Sequence, residues 1–153
     1  MERKEPVQAR ASFQHSIEAD PKYVHPYLGL AQIATNEHEW PEVVQITDRV
    51  LRLNSVDFPQ AWFLNSIGNL ALNRPDAAEQ SANQVVRMNM VAKFPKVEHV
   101  LGLVAAIRSE WGHAAEHIRH FTQMIPPGAE REVALRQLAE LETRAAADAP
   151  VAN

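Results

Sequence analysis

Residues 112–120 read GHAAEHIRH. His113, Glu116 and His117 follow the H-x-x-E-H order in which two histidines bind zinc and a glutamate serves as base. Histidines four residues apart project from the same side of a helix, so both could reach one metal ion. A hydrolytic zinc also needs a third protein ligand and a dry, shaped cleft. Glu140 and Glu142 are candidates for the third ligand, but no motif marks them. Ser66, Glu98 and His99 contain the letters of a hydrolytic set, yet their order and spacing match no known arrangement. Trp40, Trp62 and Trp111 could stack on a ligand or could pack helix against helix.

Composition removes several chemistries. The 153 residues contain no cysteine, so disulfides, thiolate metal sites and cysteine nucleophiles are excluded. Only 5 residues are glycine, and no G-x-G-x-x-G, G-x-x-x-x-G-K or G-x-S-x-G occurs. The formal charge of −4 lacks the basic excess that nucleic-acid binding draws on. Apolar residues make up 46% and charged residues 22%, an ordinary composition for a soluble domain with a sizeable core. No apolar run approaches the roughly 20 residues needed to cross a bilayer. The opening MERKEPVQAR is charged and has no apolar centre, so no secretory signal is expected and the cytoplasm is the default compartment.

Breakers divide the chain at regular distances: Pro21, Asn54-Ser55 with Pro59, Pro75, Pro95, and Pro126-Pro127-Gly128. Between them apolar residues recur at i, i+3, i+4, as in Val43, Ile46, Val50 and in Val100, Leu101, Val104. EWPEVV, DFPQAW, RPDAAE and KFPKVE place proline where a helix starts. Strand-like alternation is not sustained. The spacing predicts helices over about 6–19, 24–37, 40–53, 59–72, 75–89, 95–109, 112–124 and 129–147.

Phe13, Thr47, Ala82 and Ile118 are separated by 34, 35 and 36 residues, as are Pro21, Ser55, Met90 and Pro126. A shift of 71 residues lays Leu30-Ala31 on Leu101-Gly102 and Trp40 on Trp111. Tyr27-x-x-Leu30-Ala31-x-x-Ala34 and Leu101-Gly102-x-x-Ala105 supply first-helix letters. Ala9-x-x-x-Phe13 with Pro21, and Ala114-x-x-x-Ile118 with Pro126, supply second-helix letters. This pattern resembles the tetratricopeptide repeat, a 34-residue helix–turn–helix unit, as found in bacterial multi-repeat proteins. The resemblance covers about residues 6–128. It implies an all-α superhelix, a solenoid of antiparallel helix pairs, with the last helix as a cap. The expected organisation is one domain over 1–147. It comprises a half-repeat at 6–21, repeats at about 24–57, 59–92 and 95–128, a capping helix at 129–147 and a flexible tail at 148–153. In the middle repeat, two registers remain open. Either Trp62, Asn65, Ser66 and Asn69 occupy packing positions, or a one-residue rotation turns Leu64 and Gly68 inward.

The repeat register also bears on zinc. It turns Ala114, Ile118 and Phe121 inward and leaves His113, His117 and His120 on the outer face, where no cleft exists. The expectation is therefore no enzyme, no cofactor and no resident metal, with at most weak adventitious zinc at His113 and His117. The resemblance implies a protein- or peptide-binding scaffold that uses an inner curve of first helices. The groove candidates are Leu28, Gln32, Phe63, Ile67, Leu70, His99 and Leu103, with Lys96 at the edge. The alternative is a structural or oligomerisation segment without a peptide ligand. In that case Phe13 and Ile17 of the incomplete first repeat would anchor a second copy. No nucleic-acid or membrane partner is expected. Val133, Leu135, Leu138 and Leu141 of the last helix fit a cap better than a lipid surface.

Overall fold

The computed structural model describes residues 4–151, and every regular element among them is a helix. The helices are α1 (Lys4–Ala19), α2 (His25–Asn36), α3 (Trp40–Leu53), α4 (Pro59–Ala71), α5 (Pro75–Arg87), α6 (Lys96–Ile107), α7 (Trp111–Met124) and α8 (Ala129–Asp148). Each lies within a few residues of its expected span. Proline sets most of the starts. It occupies one of the first two positions of α2, α3 and α4, opens α5, and precedes α6 at Pro95. Its fixed φ suits the first turn, and its missing N–H would have no helical partner there. Side-chain capping does not contribute at α2, α3, α4, α6, α7 or α8.

The ends share another device. His38, Asn73, Asn89 and Ser109 follow α2, α4, α5 and α6 with φ between 56° and 60°. After each, the next N–H reaches back five residues: Glu39 to Ala34, Arg74 to Asn69, Met90 to Val85 and Glu110 to Ala105, at 2.9–3.1 Å. These left-handed stops satisfy carbonyls that the helix end would otherwise orphan. Two of them, His38 and Ser109, fall at turns between helices that pack on each other, α2 with α3 and α6 with α7. Glycine is absent from all four, so the punctuation was invisible to a search for glycine.

The chain forms two compact units that divide between Arg74 and Pro75. In the N-terminal unit α1 packs on α2, α2 on α3 and α4, and α3 on α4. Ala31, Ala34 and Ala61 are fully buried, which lets the helix axes approach closely, and Val43, Val50 and Leu64 fill the spaces between them. In the C-terminal unit α5 packs on α6, α6 on α7 and α7 on α8. Its core joins Ile118, Phe121 and Ile125 to Leu138 and Leu141 of the last helix. An arginine bridges helices in each unit. Arg10 meets Glu37 and Glu42 at 2.6 and 2.9 Å, and Arg108 meets Asp76 and Glu79 at 2.7 and 2.9 Å.

Neither register envisaged for the middle repeat suffices by itself. Helix α4 buries Leu64 and Gly68 together with Asn65, Ser66 and Asn69. It is covered on two sides, by α2 and by α3, so residues on adjacent helical faces are enclosed. Trp62 and Phe63 are both half-buried.

Candidate functional site

The H-x-x-E-H segment lies on α7, where its register explains the environment of each histidine. Ala114, Ala115, Ile118, Phe121 and Thr122 turn into the core. His113 is 76% exposed, with Nδ1 at 3.6 Å from Glu110 one turn back. His117 is half-buried and is held by α6, its Nδ1 lying 2.6 Å from Glu98 Oε2. That carboxylate favours the imidazolium and raises the His117 pKa above its ordinary 6.5. The pairing places His117 in a contact between helices rather than on a fully solvated face. His120 Nδ1 stands 3.8 Å from the same Glu98 oxygen. Among the described residues no group of three or more His, Asp or Glu side chains is placed to hold a metal ion.

The groove candidates separate on inspection. Leu28, expected to face a ligand, is buried at 8% exposure with Val24, Tyr27, Val50 and Ala61. The neighbouring Tyr27 hydroxyl anchors that side of α2 by donating to the Pro21 carbonyl at 2.8 Å. Gln32 is exposed and donates to Asn36 at 3.1 Å. Phe63, Ile67 and Leu70 are half-buried along α4. Phe63 leans on the cluster formed by Ala31, Ala34, Val43 and Leu64.

A polar core lies beside them. Asn65 Nδ2 donates to Thr47 Oγ1 at 2.9 Å and to Asp48 Oδ1 at 2.8 Å. Asn69 Nδ2 donates to the Asn65 carbonyl oxygen and to its Oδ1, at 3.0 and 2.8 Å. Thr47 stands where Phe13 and Ile118 stand in the other repeats, and it donates to the Val43 carbonyl at 2.7 Å. A threonine at an apolar repeat position and asparagines four apart were the available signals. A buried polar set of this kind is tolerable because its members satisfy one another. Trp62 Nε1 donates to the Ser55 carbonyl at 2.9 Å and fixes the loop before α4.

In the C-terminal unit Leu103 is half-buried, and the other two candidates engage α8. Lys96 pairs with Glu130 at 3.0 Å. His99 Nε2 donates to Gln137 Oε1 at 3.0 Å, and its ring stacks on Phe121 with centroids 5.0 Å apart. Burial lowers the His99 pKa from its ordinary 6.5, so the ring is neutral near pH 7. Trp111 opens α7 beneath the Arg144 guanidinium, 4.8 Å from its ring centroid, and thus serves packing between α7 and α8. No described helix is long and apolar enough to cross a membrane.

No family model and no curated protein matches this chain. Among solved structures, the crystal structure of MamA protein is similar over 97% of this chain and 90% of its own, with a TM-score of 0.69 at 15% identity. At that identity the likeness speaks for the fold alone, which is a tetratricopeptide-like stack of helices.

Proposed function

We propose that the chain is a protein- or peptide-binding scaffold module rather than an enzyme. The fold supports this coarsely, since stacks of this type generally mediate protein interactions. The observation that carries the finer reading is an inversion on α4. The helix buries Asn65, Ser66 and Asn69 while leaving the larger apolar Ile67 and Leu70 half-buried. Burying asparagine in place of isoleucine sacrifices apolar transfer energy, about 1.5–3 kcal/mol for a full aliphatic side chain. A partner that covers Ile67 and Leu70 would recover part of it. These residues suit a peptide with aliphatic anchors. Lys96, His99 and Leu103 belong to the surface of the C-terminal unit, where Lys96 is already paired.

A peptide-library selection on the wild type and on Ile67→Glu tests this. Selection of a common motif by the wild type and its loss in the variant are expected. Equal selection by both, or by neither, rejects the reading.

A second reading, an oligomerisation segment through α1, does not rest on the two anchors expected from the sequence. Phe13 lies over Gly29, and Ile17 leans on the cluster around Tyr27, so both proposed anchors are spent within the unit. Val7 on the same helix is 65% exposed. Concentration-dependent sedimentation abolished by Val7→Asp would support a homo-oligomer through α1. A monomer at high concentration would dismiss it.

A further inference from the structure

Along α3, within the N-terminal unit, opens a cavity of about 350 Å³. Pro41, Val44, Asp48 and Arg52 line it from α3, and Leu72 and Arg74 line it from the end of α4. Ligand sites occupy roughly 300–1,000 Å³, so this one suits a side chain or two rather than a large molecule. Val44 is buried and Leu72 half-buried, which gives the cavity an apolar part beside its charges.

Those charges are balanced differently from others in the chain. Arg10, Arg108, Arg119 and Arg144 each hold a carboxylate at 2.6–2.9 Å. Arg52 and Arg74 are exposed, and among the described residues neither side chain has an ion pair or a hydrogen bond. Asp48 precedes Arg52 by four residues, the spacing at which Glu140 reaches Arg144 at 2.7 Å. Here no pair forms, because Asn65 Nδ2 donates to Asp48 Oδ1 at 2.8 Å and draws that carboxylate to the polar core. The left-handed stop at Asn73 fixes the backbone of Arg74, whose N–H reaches the Asn69 carbonyl at 2.9 Å. Two arginines thus share one cavity with a single carboxylate that is engaged elsewhere. The lining keeps one net positive charge.

We propose that this cavity takes a glutamate side chain of a protein partner, its carboxylate held by Arg52 and Arg74 and its methylenes against Val44 and Leu72. One carboxylate matches the net charge of the lining and offers two oxygens to guanidinium donors. A phosphate dianion exceeds that charge and is repelled by Asp48. A neutral amide of the same shape leaves both arginines without a counter-charge. Ile67 and Leu70 precede Arg74 on the same helix. The proposal deepens the scaffold reading by adding an acidic residue to a peptide with aliphatic anchors, and it rests on that reading for the source of the glutamate.

The test is an NMR titration of the ¹⁵N-labelled full chain with the α-amides of N-acetyl-glutamate, N-acetyl-glutamine and N-acetyl-phosphoserine. Saturable shifts at Gln45, Asp48 and Arg74 are expected, with the glutamate amide bound at least fivefold more tightly than the glutamine amide and more weakly as salt is raised. Arg52→Gln and Arg74→Gln alter exposed side chains, and together they should bring the preference below twofold. Absence of saturable shifts, equal affinity for the glutamate and glutamine amides, an unchanged preference in the double variant, or tighter binding of the phosphoserine amide overturns the proposal.

The subsite and the scaffold reading fail separately. Peptides selected by an Ile67-dependent surface, on a protein silent to the glutamate amide, overturn the subsite alone. An intact, arginine-dependent glutamate site on a protein that selects no peptide removes the scaffold reading alone.

Discussion

Glu98 and His99 are consecutive residues of α6 with opposite consequences for protons. Glu98 holds His117 at 2.6 Å and raises its pKa above 6.5. That contact therefore contributes stability that is complete below about pH 6.5 and is lost as pH rises through the raised value. His99 has its pKa lowered by burial, Lys96 adding to the effect while Gln137 and Glu130 oppose it. Its native environment stabilises above about pH 6.5, and that stability is lost as pH falls through the lowered value. Denaturant midpoints between pH 5 and 8 should separate the two. His117→Gln should cost more stability at pH 5.5 than at pH 8. His99→Phe should remove part of the wild type's decline toward acid. Pairwise differences that stay constant with pH would count against both assignments. The four left-handed turns give a further test. His38 and Ser109 adopt φ of 60° without the local hydrogen-bonding tolerance of asparagine. Replacing either by glycine should stabilise the fold by up to about 1 kcal/mol, whereas Asn73→Gly and Asn89→Gly should gain less. Thermal melts of the four variants check the order.

At the scale of elements, glycine position predicts opposite signs for one substitution. A methyl at Gly68 on α4 would meet Val44 Cγ2 at 2.9 Å and Val43 Cγ1 at 3.2 Å. Overpacking of this kind costs about 1–3 kcal/mol, so Gly68→Ala should destabilise. A methyl at Gly112, in the first turn of α7, would meet nothing within 4 Å. Gly112→Ala should be neutral or stabilising by up to about 1 kcal/mol, the difference in helix propensity. Chemical denaturation of the two variants would show opposite shifts, and matching shifts would contradict the packing described for α4. The helices themselves were readable because proline placement and i, i+3, i+4 spacing are local signals. The left-handed stops were less legible, since His38 and Ser109 carry no glycine signature. The double-sided burial of α4 was hidden for another reason: a single helix does not reveal how many neighbours enclose it.

For the whole molecule, the fold followed from the recurrence at 34–36 residues, a long-range regularity that no single motif supplied. The candidate site was less legible because groove exposure depends on what each first helix packs against. Leu28 has apolar chemistry suited to a ligand surface, but Val50 and Ala61 cover it. His99 has polar chemistry suited to a groove margin, but α8 engages it through Gln137. Repeat arrays distribute stability among local interfaces, and here the packing concentrates within two units. Removal of a core side chain should therefore loosen its own unit first. Phe121→Ala empties a position buried between α7 and α8 and should cost about 3–5 kcal/mol. Leu64→Ala empties the core of α4 and should cost about 2–5 kcal/mol. Hydrogen exchange read by mass spectrometry reports local opening segment by segment. Phe121→Ala should accelerate exchange in α6, α7 and α8 far more than in α2 and α3, and Leu64→Ala should reverse that pattern. Equal acceleration throughout the chain in both variants would show that the eight helices open as one cooperative body and would reject local control of stability.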